Sequence, residues 1–194
     1  MRNQSIQIFY KKLASSHQPG LQYNLMLKKQ KVLILGIDPG SRSTGYGIIW
    51  TQGAEQGYIA HGQILAKGDS IHLRLQHIQQ QLSQIITDYR PDEAAIEQIF
   101  TVNNAQSALK LGQARGAVLV AAAQHTLPLA EYSARTVKKA IVGYGAASKT
   151  QIQHMVALLL QLTQPLQADA ADALAIALCH ANHRRFTQSL PIKG

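Results

Sequence analysis

Asp38 in VLILGIDPG, Glu97 in AAIEQIF, and Asp169 and Asp172 in ADAADALAIAL are carboxylates set in apolar runs. Taking a carboxylate out of water is strongly penalised unless it is paired or bound to a cation. The chain has 10 acids against 19 Lys and Arg, so four acids placed this way call for an explanation. Converging carboxylates offer oxygen ligands, which hard divalent cations such as Mg²⁺ take while keeping several waters. Two such ions about 4 Å apart can clamp the attacking and leaving oxygens of an in-line phosphoryl displacement. One acid can also help deprotonate the nucleophilic water. Singly, the residues have plainer explanations. Asp38 before Pro39 and Gly40 can shape a turn, and Asp169 can cap a helix. Glu97 has no capping job inside its run and is the hardest to explain otherwise.

To act together, the four must be brought together by the elements that carry them. Residues 31–38 form a β-branched apolar run ending in Pro-Gly, which reads as a buried strand. Residues 45–50 and 58–65 read as second and third strands of a meander. Residues 71–89 repeat apolar side chains at three and four, a helix stopped by Pro91. Residues 93–99 are a short central strand, 103–124 a small-residue helix, and 129–133 a fifth strand. Residues 135–142, 148–162 and 169–181 are helical, with Ser148 as an N-cap. This order predicts one α/β domain with a five-stranded mixed sheet flanked by helices. Asp38 then lies on the first strand and Glu97 on the fourth, and neighbouring strands would let them converge. Asp169 and Asp172 are three apart, so one face of the last helix presents both.

The net charge of +9 points to a polyanionic partner, most often nucleic acid. A generally basic protein is the plainer reading. Cys179 is the only cysteine, which permits no intrachain disulfide and suits a reducing, cytoplasmic setting. No run approaches the roughly 18 apolar residues of a membrane-spanning helix. Residues 1–37 contain no acid. They are no secretory signal, because the apolar stretch at 6–10 is short and runs into Lys11 and Lys12. An organelle transit peptide is disfavoured with Arg2 as the one arginine there. Residues 1–30 are expected to be a disordered extension, or the product of a start assigned too early, with Met26 as the true start.

The stretches GIDPGSRSTGYG, AIEQIF, NNAQSALKLGQARG, KTQIQHM and DAADALAIA resemble the RuvC family of bacterial Holliday-junction endonucleases, nearly continuously over residues 31–183. The resemblance implies a ribonuclease-H-like fold for residues 31–184; residues 185–194 read as a polar tail. It implies a homodimer that nicks opposed strands of a four-way DNA junction with Mg²⁺, two ions per site and Mn²⁺ as an alternative. It also implies a branch-migration partner complex, RuvA and RuvB. Asp38, Glu97, Asp169 and Asp172 match the four acids of the family. The extension at 1–30 is the clear departure.

A junction-cutting enzyme must hold phosphates. Lys138, Lys139 and Lys149 are the first candidates, then Arg42, Lys110 and Arg115, and the important lysines of the family correspond to Lys138 and Lys149. Lysine beside a scissile phosphate can stabilise developing charge, although solvated surface lysines are common. Phe100, at the start of FTVNNAQ, can stack on an unpaired base, a role the resemblance supports over a core contact. GYGAASKT at 143–150 nearly matches a phosphate-binding loop, but Ser148 replaces the second key glycine and no strand leads in. Gly112 and Gly116 allow close helix packing, within the chain or between two copies. His180 and His183 have the spacing of a metal pair, but surface histidines are the expected reading.

Two other functions stay open at this point. DPGSRSTG superficially resembles a phosphate loop of ribonuclease-H-like ATPases and sugar kinases, which usually need two such domains. A junction-binding module without catalysis is the other, and the four intact acids argue against it.

Overall fold

The computed structural model describes residues 31–98 and 104–189. Its strands are β1 (Val32–Asp38), β2 (Ser43–Gln52), β3 (Glu55–Leu65), β4 (Glu93–Glu97) and β5 (Leu129–Tyr132). Its helices are α1 (Ile71–Tyr89), α2 (Ala105–Gln124), α3 (Ala134–Val142), α4 (Lys149–Leu159) and α5 (Ala168–Ser189). The strands form one sheet in the order β3-β2-β1-β4-β5. β1 to β3 are an antiparallel meander, and β1, β4 and β5 run parallel. The expected mixed sheet is therefore present, and β1 and β4 are neighbours, with Ile37 opposite Ile96.

Both faces of the sheet are covered, which explains the near-continuous apolarity of β1 and β4. On one face Leu35, Ile37 and Ile96 pack with Ile78 and Leu82 of α1 and Val118 of α2. On the other, Ile34, Ile49 and Ala95 pack with Val137 of α3, Val156 of α4, and Leu174 and Leu178 of α5. Side chains alternate along a strand. Asp38 therefore shares the α5 face with Ile34, and Glu97 shares it with Ala95.

Helix α5 lies unusually close to the sheet, and the sequence pattern explains it. A Cβ at Gly36 would stand 2.0 Å from the carbonyl oxygen of Ala173, and one at Gly45 would stand 2.1 Å from that of Asp169. At Gly47 it would meet the Leu174 side chain at 2.7 Å. These glycines make a trough in β1 and β2 for an alanine-rich helix whose Ala170, Ala171, Ala173 and Ala177 are fully buried. Asp169 and Asp172 are thereby lowered onto the ends of the strands.

Most expected boundaries agree within a few residues, and α5 is the main difference. It continues past residue 181 to Ser189, so the expected polar tail begins as helix. Its polar residues have partners: Arg184 Nε donates to Glu93 Oε1 at 2.8 Å, and Arg185 donates to the Ala54 carbonyl at 3.2 Å. Among the described residues no helix is long and apolar enough to cross a membrane.

Candidate active site

Asp38 ends β1 and Glu97 ends β4. Both lie at the carboxyl edge of the parallel strands, where the chain leaves the sheet and the backbone no longer fills the space between helices. Together with Asp172 of α5, Lys138 of α3 and Lys149 of α4 they line a concavity of about 310 Å³. The walls are apolar: Val137, Ile152, Ala175 and Ile176.

Burial raises the Asp38 carboxyl first, then the charges of Asp172, Glu97 and Asp169, with Lys149 opposing; its pKa is pushed up to about 7. Glu97 is also raised, by burial and then by Asp172, while Lys149 and Lys138 pull it down. Lys149 Nζ stands 3.3 Å from Asp172 Oδ2. That carboxylate, by charge and by hydrogen bond, holds the ammonium pKa above its ordinary value. Asp169 Oδ2 accepts from Gln63 Nε2 at 2.7 Å and from the Ser43 hydroxyl.

Three of the four expected acids thus line one concavity. The fourth, Asp169, is close enough to act on Asp38 electrostatically but is held by neutral donors at its edge. Among the described residues no three His, Cys, Asp or Glu stand close enough to share one metal ion. Asp169 and Asp172 are engaged by Ser43, Gln63 and Lys149 instead. The donor set is nonetheless all oxygen, and its surplus negative charge adds to burial in lifting Asp38 and Glu97. Both properties fit a hard divalent cation.

The expected phosphate contacts separate into groups. Lys138 and Lys149 line the acid concavity. Arg42 and Lys110 line another, about 470 Å³, together with Arg74. Lys139 faces a third. Arg115 is ion-paired with Glu131 at 2.7 Å, so it reaches phosphate only by giving up that partner. Phe100 lies outside the described residues.

Other expectations change. His180 is no surface histidine: its side chain is 13% exposed, and its Nε2 stands 2.9 Å from Glu93 Oε2. Its Nδ1 stands 2.8 Å from the Tyr132 hydroxyl. Residues 143–148 join α3 to α4 and 149–150 open α4, with Gly143 as a left-handed C-cap at φ 85° and Ser148 in a capping box. A Cβ at Gly112 or Gly116 would meet nothing within 4 Å, so neither serves packing against the described residues of its own chain. Sequence reasoning missed Ser43 and Gln63. Ser43 sits inside GIDPGSRSTGYG and was open to notice, whereas Gln63 carries no local signal.

Residues 34–180 match the family described as crossover junction endodeoxyribonuclease RuvC. The protein of that name from Coxiella burnetii is 64% identical over 158 residues, covering 81% of this chain and 92% of that relative. The one from Shewanella frigidimarina is 57% identical over 148 residues, covering 76% and 86%. Among solved structures, T. thermophilus RuvC in complex with Holliday junction substrate superposes with a TM-score of 0.76 at 32% identity, over 83% of this chain and 99% of that one.

Proposed function

The chain belongs to the RuvC family of crossover junction endodeoxyribonucleases, and from that premise we propose that it resolves four-way DNA junctions by paired nicks in opposed strands. The observation that carries this reading is the meeting of Asp38, Glu97 and Asp172 with Lys138 and Lys149 in one concavity at the carboxyl edge of the sheet. Asp38, Glu97, Asp169 and Asp172 are the residues that would hold Mg²⁺, two ions per site with Mn²⁺ as an alternative, and the metal would supply positive charge at phosphoryl oxygens and a more acidic water. Lys138 and Lys149 neutralise the incoming phosphate. Lys149 is held against Asp172, so an arriving phosphate competes for its ammonium. The apolar walls limit water around the reacting groups, which strengthens each charge interaction there. Arg42 and Lys110 extend the contact with DNA, and Phe100 is assigned to stacking at the junction.

A homodimer suits two matched cuts related by a two-fold axis. The outer face of α2 supports it: Leu109 and Val120 are exposed, and Gly112 and Gly116 between them are open. The RuvA and RuvB branch-migration complex as partner, and a cytoplasmic location, follow from the family and complete the proposal.

The test is cleavage of a synthetic four-way junction with and without Mg²⁺. Asp38→Asn is expected to lose cleavage by at least a hundredfold while binding the junction as before. Cutting at the wild-type rate by that variant, or undiminished cutting in chelator, refutes the assignment.

A further inference from the structure

The concavity that Lys139 faces, about 550 Å³, lies between α3 and the carboxyl half of α5. Arg135, Thr136 and Lys139 line it from α3, and Asn182, His183 and Phe186 from α5. None of its lining residues is acidic. Helix α3 is the wall between the two concavities. Its Val137 and Lys138 face the acids, while Arg135 and Lys139 face the other way. The ion pairs among the described residues involve Arg115, Lys149, His180 and Arg184, so Arg135 and Lys139 have no acidic partner there.

The stem of Arg135 lies against Gly145, where an added Cβ would stand 2.7 Å from its Cγ, but that packing does not explain its charge. Arg135 sits in the first turn of α3, which carries no acid. The amino end of a helix bears partial positive charge and favours anions, so a guanidinium there works against its local field unless an anion joins it. Lys139, in the last turn, complements the opposite pole and would need no further reason by itself. The concavity is also braced. Asn182 Nδ2 donates to the Ala140 carbonyl at 3.3 Å, tying α5 to α3.

We propose that this concavity binds a second backbone phosphate of the junction, on the strand whose scissile phosphate lies at the acids. A helix is about 10 Å across, and phosphates on one strand advance by about 3.4 Å along the duplex axis. The second phosphate is therefore about three nucleotides from the scissile one. Arg135 supplies planar donors suited to phosphate oxygens, and Lys139 adds charge. This rests on the nuclease reading above.

The experiment uses the full chain and junctions carrying single neutral methylphosphonates two to four nucleotides to either side of the cleaved bond. In wild type, one such substitution is expected to weaken junction binding severalfold. In Arg135→Ala/Lys139→Ala that penalty disappears, and the slope of log K against log salt falls by about one to two. Both side chains are exposed, so the unfolding temperature should fall only slightly, through the lost packing of the Arg135 stem on Gly145. Arg135→Lys restores part of the slope, because it keeps the charge. The proposal is overturned if no methylphosphonate in that window weakens wild-type binding, or if the variant keeps the wild-type slope. Those outcomes would give the concavity to an acidic partner protein instead. Failure of the nuclease reading looks different: wild type itself would then not nick the junction at any Mg²⁺ concentration, whether or not it binds it.

Discussion

Asp38 is where the electrostatics of the site converge. It has burial against it and three like charges around it, with one lysine in compensation. Such a group stabilises a bound cation at the expense of the metal-free fold. Asp38→Asn keeps the shape and removes the charge. In chelator at neutral pH it is expected to unfold at a higher temperature than wild type, by about 1–3 kcal/mol in stability, while losing the cleavage proposed for wild type. Thermal unfolding of both proteins in chelator, and again with Mg²⁺, checks this. A variant less stable than wild type in chelator would mean that the Asp38 carboxylate is already well paired. The sequence made Asp38 and Glu97 legible because a charge in an apolar strand has few structural excuses. It did not reveal that Asp169 is held by Ser43 and Gln63. Gln63 is 106 residues away in the chain, and a glutamine on an edge strand looks like any solvated side chain.

Helix α5 is the element that converts a strand pattern into a site, and it is fixed at both ends. At the site end, the trough of Gly36, Gly45 and Gly47 lets its backbone touch the sheet. At the other end, Glu93 of β4 receives His180 and Arg184. The site end was partly readable: a spacing of three put Asp169 and Asp172 on one helix face, and Asp38 and Glu97 could converge on the condition that their strands are neighbours. The far anchor was not, because a histidine about three turns down a helix gives no hint that a glutamate 87 residues earlier awaits it. Glu93 yields the pH prediction. The His180 hydrogen bond first, then Arg184, hold its carboxyl below the usual glutamate range, against the effect of burial. A depressed folded pKa gives stability that is fully present above the unfolded value, near 4.5, and lost as pH falls through the folded one. Glu93→Gln should therefore cost about 1.5–3 kcal/mol at pH 7 and much less at pH 3. Unfolding curves at the two pH values measure it, and an equal cost at both would show that the carboxylate charge contributes nothing.

For the whole molecule, the open question in the sequence was which surface Gly112 and Gly116 serve. Within the chain, α2 turns Ala114, Val118 and Ala121 into the core. Leu109, Gly112, Gly116 and Val120 follow at helical spacing on the outer side. An interior helical glycine costs about 0.5–1 kcal/mol relative to alanine, and here no contact among the described residues returns that cost. A second helix laid against this stripe would return it, by close backbone approach between two exposed apolar side chains. Gly116→Arg tests this with little risk to the monomer, since a Cβ there meets nothing within 4 Å. The variant should keep or slightly raise its unfolding temperature at low concentration, yet sediment as a monomer at concentrations where wild type is expected to sediment as a dimer. Each monomer retains all four acids, so residual cutting should appear as single, unpaired nicks. A plasmid-borne junction would then give nicked circles in place of linear product. A Gly116→Arg protein that still sediments as a dimer and cuts both strands together would move the two-fold contact off α2, while leaving the acid site as it stands.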